Sequence, residues 1–391
     1  MEPRTPTRRS SRCVRGVLCA LAISLVALAG CGGGSPRPPE EAPAETLDAE
    51  SEATEEVGRL GIRDAVGQMF VVGMTGPEPD YYIEKMVRER NIGGVLLFGY
   101  NMESEEQTRS LAGSLQELAM QTEPAIPLFM AVDHEGGEVQ SAPWVSAQPS
   151  AEEVGGQADP EEARRIAERI GRELRRGGVN TDLAPVVDTG GGAAIGNRSY
   201  GVDPPLVASM GTAAVRGFEQ AGIVSVAKHF PNHGASLEDS HINRPRIDHD
   251  ARTFAQRDLP PFRAVVEAGV PMVMIGHLVY PVLDPGRPAS LSRAAMELLR
   301  GELAFDGVIV TDDLAMEGAK RGGTVAEAAV AAVTAGVDLL IISGPPEEQA
   351  ASYDAVVAAV ESGEVPRERI DASVERIKKV KDRYPLYSEG S

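Results

Sequence analysis

Between Lys228 and His241 the chain reads KHFPNHGASLEDSH, and three of its six histidines fall in this stretch. Histidines beside acids and a lysine can ligate a metal or relay a proton. His229 and His233 stand four apart, the spacing that puts two ligands on one helix face. Pro231 and Gly234 disfavour a helix across that pair, and no His-Glu-x-x-His run is present. A metal site is therefore the weaker expectation, and no metal or organic cofactor is expected. Proton transfer suits the segment better. In Asp239-Ser240-His241, residues two apart on an extended chain face the same way, so the carboxylate can fix the imidazole tautomer and raise its pKa. Such a pair is a general acid/base. The competing reading is an Asp-Ser turn with a solvent-facing histidine.

A nucleophile has to come from elsewhere. All three cysteines, Cys13, Cys19 and Cys31, lie near the N-terminus, and the later chain has no Gly-x-Ser-x-Gly elbow. Asp312 and Asp313 follow the β-branched run Val308-Ile309-Val310-Thr311. Neighbours on a strand point oppositely, so one of the two faces the open end and the other is free to cap the next turn. A carboxylate nucleophile with a separate proton donor is the logic of retaining glycoside hydrolysis. Lys228, Asp133 and Arg198 would then hold sugar hydroxyls.

These residues need a scaffold that gathers them. Eight apolar runs, at 69–72, 94–98, 128–132, 183–187, 223–227, 272–275, 308–310 and 339–342, alternate with amphipathic segments such as 161–175, 206–220 and 292–303. Runs apolar on both faces suit buried parallel strands. Pro205, Ser292 and Thr324 sit near plausible helix starts. Eight β-α repeats predict an α/β fold, a (β/α)8 TIM barrel. A doubly wound sheet is the alternative, but no Gly-x-Gly-x-x-Gly turn follows an early strand. Asp133-His134-Glu135 follow the third run, Asp188 and Arg198 the fourth, the histidine-rich stretch the fifth, His277 the sixth and Asp312-Asp313 the seventh. Strand C-terminal ends build the active site of a barrel, and five of the six histidines belong to these segments. His249 lies further out.

The N-terminus reads differently. Five arginines precede a short apolar stretch, residues 17–29, that ends in Leu28-Ala29-Gly30-Cys31. This predicts a lipoprotein signal peptide over 1–30 with lipid on Cys31. Residues 31–56 are rich in Gly, Pro, Ala and acid and predict a flexible acidic tether. The enzyme domain is expected over 57–391. The expected location is the cell envelope, membrane-anchored and facing out of the cytoplasm. A formal charge of −20 argues against nucleic acid as a partner. A monomer acting on carbohydrate is expected.

KHFPNHGASLEDSH, VDHEGG, IGNRSY and DGVIVTDDLAMEGA together resemble the motifs of family 3 glycoside hydrolases, and within them the bacterial β-N-acetylglucosaminidase branch that acts on peptidoglycan fragments. The resemblance covers nearly all of the chain after the tether. It implies a TIM barrel and retention through a glycosyl-aspartate, with Asp312 as nucleophile and His241 with Asp239 as the acid/base dyad. It implies sugar contacts from Asp133, Arg198, Lys228 and His229. The chain departs from the family pattern at Glu138 and Ser141, where arginines are usual, and at Asn232, where glycine is usual. A β-glucosidase or β-xylosidase of the same family, and a non-catalytic wall-binding lipoprotein, are the alternatives.

Overall fold

The computed structural model describes residues 59–387, apart from His241 and position 321. The signal segment, Cys31 and the tether lie outside the described residues. Those described belong to one compact unit, Gly58–Ser391.

The expected alternation holds. The strands in chain order are β1 (Phe70–Gly73), β2 (Gly94–Leu97), β3 (Phe129–Val132), a small hairpin of β4 (His134–Gly136) and β5 (Val139–Gln140), then β6 (Thr181–Asp182), β7 (Val224–Phe230), β8 (Met272–Ile275), β9 (Val308–Thr311) and β10 (Leu340–Ile342). All but the hairpin form one eight-stranded sheet in the order β10-β1-β2-β3-β6-β7-β8-β9. Neighbours pair in parallel throughout. The seam between β9 and β10 closes through one parallel bridge, Val310 to Leu339. The chain is thus a (β/α)8 barrel, as expected.

Its strands are buried on both faces, which accounts for runs that are apolar without alternation. Val71, Phe129, Ala131, Val226, Met272 and Ile341 are among the side chains that fill the interior, leaving a void of about 10 Å³, no more than one water could enter. The helix Pro160–Arg176 turns its stripe of Ala163, Ile166, Ala167, Ile170 and Leu174 to the core. It crosses the helix Pro204–Ala221 so closely that a Cβ on Gly217 would stand 2.2 Å from the Arg164 carbonyl oxygen. Thr324 and Glu327 form a capping box at the start of Val325–Ala335.

Three expectations need correction. The fourth strand was expected at 183–187, but its regular pairing is at Thr181–Asp182. Pro185 has no N–H, so beyond it the edge continues only as a single bridge, Val186 to Lys228. The fifth strand reaches Phe230, so Lys228 and His229 stand on a strand rather than in a loop. The segment 292–303 is α-helical only over Arg293–Glu297 and continues as a π-helix over Leu298–Glu302.

Asp338 holds the bottom of the seam. It is fully buried. One oxygen accepts the Ile309 N–H at 2.9 Å, and the other accepts from Ser373 Oγ at 2.6 Å and Arg376 at 3.0 Å. Arg300 also donates to it. Removing a buried carboxylate strands its cations. Asp338→Ala is therefore expected to lower unfolding free energy by about 3–5 kcal/mol in guanidinium titrations. A loss under about 1 kcal/mol would show that the seam does not depend on it.

Candidate active site

The polar residues past the strands converge at the C-terminal end of the barrel. Lys228, on β7, is buried inside it. Its Nζ lies 2.7 Å from Glu135 Oε1 and pairs with Asp133 as well. Arg198, in the short helix Gly196–Arg198 that follows β6, grips the same Glu135 through two bonds, Nε to Oε2 at 2.8 Å and Nη2 to Oε1 at 2.6 Å. Two cations and two carboxylates thus form one cluster. Burial pushes the Glu135 carboxyl up, but Lys228 and Arg198 outweigh it and hold the group at about 2. Burial works against the Lys228 ammonium too, yet Asp133 and Glu135 raise its pKa above the usual lysine value. Asp133 is the open member, with a third of its side chain exposed.

The β4–β5 hairpin turns Glu135 into this cluster. Gly136 and Gly137 both have positive φ, and a Cβ on either would meet Pro149 O at 2.7 Å or Ser150 Cβ at 2.8 Å. Larger residues could not make this turn. Neighbouring His134 faces the core, where burial lowers its pKa to about 4.

Asp188 organises the next layer. It is fully buried. One oxygen receives the His233 N–H at 2.5 Å. The other meets both His229 N at 3.2 Å and His229 Nδ1 at 2.7 Å. Burial, only partly offset by these donors, pushes the Asp188 carboxyl up to about 6. Burial and then Arg198 hold the His229 pKa well below that of free imidazole. His229 is therefore a neutral ring whose Nδ1–H is pinned to Asp188.

The two adjacent aspartates separate cleanly. Asp313 is consumed by structure, since its Oδ1 accepts from Ala315 N at 3.0 Å and Ser343 N at 3.1 Å and its Oδ2 accepts from Ser343 Oγ. Asp312 is partly exposed, and its Oδ1 accepts the Asp313 N–H at 2.8 Å. Burial pushes its carboxyl up, but the Asp313 amide and the nearby Lys228 ammonium help bring it below the usual carboxylate value. His277 is itself locked between Ser290 Oγ at 2.8 Å and the Asp313 carbonyl at 2.9 Å.

His233 and His229 lie edge to face, 5.8 Å between centroids, and their hydrogen bonds go to Ser240 and Asp188 rather than to a shared centre. The segment expected to be extended at Asp239 turns instead. Its carbonyl accepts from Asn243 N at 2.9 Å, while buried Ser240 is tied to His233 Nε2 at 2.8 Å. His241 lies outside the described residues. Asn232, the departure from glycine, is fully used. Its Oδ1 accepts from Thr189 N and Gly234 N, both at 2.9 Å, and its Nδ2 donates to Asp258 at 2.7 Å. Ser141 follows the hairpin, with its N–H 3.4 Å from the Asp133 carbonyl, and Glu138 is exposed at the hairpin tip. Asp133, Arg198, Lys228, His229 and Asp312 are thus gathered at one end of the barrel. Glu135, Asp188 and His277, to which sequence reasoning gave no role, hold them there. Glu135 and Asp188 were visible as acids just past barrel strands, but nothing local marked them as partners of Arg198 and His229.

The model of the glycosyl hydrolase family 3 N-terminal domain matches residues 61–380. The chain belongs to this family. Proteins similar to it include β-hexosaminidase A of Pseudoalteromonas piscicida, 34% identical over 78% of this chain and 56% of that protein. The β-hexosaminidase of Stenotrophomonas maltophilia strain K279a is 35% identical over 71% of this chain and 84% of its own. Among solved structures, a family 3 β-N-acetylglucosaminidase from Paenibacillus sp. str. FPU-7 superposes with a TM-score of 0.82 at 39% identity, covering 85% of this chain and 66% of that one. This chain thus spans a little over half the length of the Pseudoalteromonas protein. The family and its hexosaminidase branch stand as the motifs implied.

The His229–Asp188 pairing has a direct readout. In nitrogen-15 spectra His229 is expected to remain a neutral imidazole, protonated at Nδ1, between pH 6.5 and 8. A ring titrating near 6.5 would contradict the pairing described.

Proposed function

We propose that the protein is a retaining exo-β-N-acetylglucosaminidase that removes terminal N-acetylglucosamine from peptidoglycan-derived fragments. The observation that carries this reading is the division of labour between Asp312 and Asp313. One aspartate is bound up in the turn, and the other is a partly exposed carboxylate held ionised beside Lys228 and neutral His229. An ionised carboxylate next to a sugar-binding cluster is the requirement for a covalent glycosyl intermediate.

In this mechanism an Asp312 oxygen attacks the anomeric carbon as the bond to the leaving oxygen breaks. Protonated His241, oriented by Asp239, gives its proton to that oxygen. Neutral His241 then takes a proton from water, whose oxygen displaces Asp312 and restores the original configuration. Asp133 and the remaining N–H groups of Arg198 and Lys228 bind sugar hydroxyls. The Nε2 lone pair of His229 accepts one more. Glu135 fixes both cations in advance, so binding orders few side chains.

Hydrolysis of chromogenic N-acetylglucosaminide and glucoside tests the reading, and faster cleavage of the glucoside would replace it with the β-glucosidase alternative. Asp312→Ala is expected to lose at least about a thousandfold in kcat, and Asp313→Asn far less. His241→Ala is expected to slow disaccharides at least about tenfold more than aryl glycosides, whose leaving groups need little acid help. Equal loss on both substrate types would remove His241 from the acid/base role.

We also propose that the chain is exported and anchored in the cell envelope through lipid on Cys31. The support is the basic, apolar and small-residue succession ending at Leu28-Ala29-Gly30-Cys31. Cys31→Ala is expected to move the protein from the membrane fraction to the soluble one, and retention in the membrane would refute the anchor.

A further inference from the structure

We infer that Phe98 and Tyr100 form a platform for the leaving-group side of the substrate, stacking on the ring of the sugar attached to the terminal residue. The inference rests on the glycosidase reading above and concerns a part of the site that the catalytic cluster does not use.

Both aromatics sit immediately after β2, at the end of the barrel where Asp133 and Asp312 emerge. Their rings are nearly parallel, 12° apart with centroids 5.4 Å apart. Phe98 is partly buried, whereas Tyr100 is 62% exposed. Phe98 backs the tyrosine from one side and leaves the rest of its ring to solvent. A tyrosine ring offers a large, rigid, amphipathic face, which suits contact with a ligand that is apolar on one side and polar at its edge.

The turn is rigid. Asn101 is fully buried. Its Oδ1 accepts the Phe98 N–H at 2.8 Å, and its Nδ2 donates to Gly76 O at 2.6 Å and Met74 O at 3.2 Å. The loop after β2 is thereby stapled to the loop after β1, and the tyrosine is presented at fixed height. Little ordering is left for a ligand to impose, which favours binding.

The turn also borders the catalytic cluster. A Cβ on Gly99 would stand 3.5 Å from the Ser141 carbonyl oxygen, and the Ser141 N–H faces the Asp133 carbonyl at 3.4 Å. The turn that carries the exposed ring therefore lies one residue layer out from Asp133, on the rim. Neither Gly99 nor Ser141 brings a charge to this wall. The chemistry that fits is the face of an uncharged pyranose, whose axial C–H groups are apolar and slightly positive and match the electron-rich face of the phenol ring.

Tyr100→Ala, Tyr100→Phe and the wild type are compared on two substrates, the β-1,4-linked disaccharide of N-acetylglucosamine and methyl N-acetyl-β-glucosaminide, whose leaving group is methanol and has no ring. The ratio of kcat/KM for disaccharide over methyl glycoside is expected to fall about tenfold in Tyr100→Ala, chiefly through KM, and to stay near the wild-type ratio in Tyr100→Phe. An unchanged ratio in Tyr100→Ala overturns the platform, as does an equal fall in Tyr100→Phe, because the ring would then not be the recognised group. Calorimetric titration of the disaccharide separates this from the activity. If the wild type hydrolyses neither substrate, the glycosidase reading fails. The platform is then judged on affinity alone, and it falls if the wild type binds the disaccharide no better than Tyr100→Ala.

Discussion

Glu135 is the residue on which the site depends. Burying Lys228 inside the barrel costs solvation that Asp133 alone, a third exposed, would offset only in part. Glu135 sits between Lys228 and Arg198 and neutralises both. Its own ionisation is maintained by the same two neighbours, so no member of the trio can change charge without disturbing the others. The hairpin that carries it can form only because Gly136 and Gly137 admit backbone angles and close contacts that other residues refuse. Two glycines with no chemistry of their own thus decide where two cations stand.

Around this cluster the protein assigns each ionisable group a fixed protonation form by environment. Desolvation keeps His229 neutral and lifts the Asp188 carboxyl towards neutrality. Nearby donors keep Glu135 and Asp312 ionised in spite of burial. The contrast between Asp312 and Asp313 is of the same kind. Adjacent in sequence and identical in chemistry, they differ in their surroundings, Asp313 meeting the Ala315 and Ser343 amides and the Ser343 hydroxyl while Asp312 stands near Lys228.

Much of this was legible in the sequence. Eight apolar runs at regular spacing described the barrel, and ionisable residues just past those runs described its working end. The opposed directions of Asp312 and Asp313 followed from strand geometry alone. What escaped was long-range. Lys228 and His229 read as loop residues because glycine and proline follow them, yet pairing with β8 carries the strand on to Phe230. The part played by Glu135 depends on Arg198, 63 residues away, and that of Asp188 on His229, 41 residues away. Asn232 stood out as a departure from glycine, but its use as a clip between Thr189 and Asp258 needed the fold. The aromatic pair at 98 and 100 carries no motif at all.

The seam between β9 and β10 is joined by a single bridge. Aspartates clasp it at both ends, Asp338 below through Ile309 and Asp313 above through Ser343. Asp312 stands beside the upper clasp. Asp312 thus belongs to the joint of the barrel with the fewest paired residues rather than to a fully laddered one. Local opening follows the weakest pairing, and it costs less than global unfolding. Loosening of this joint ahead of the helices would cost Asp312 its setting while leaving the helical circular dichroism of an intact molecule.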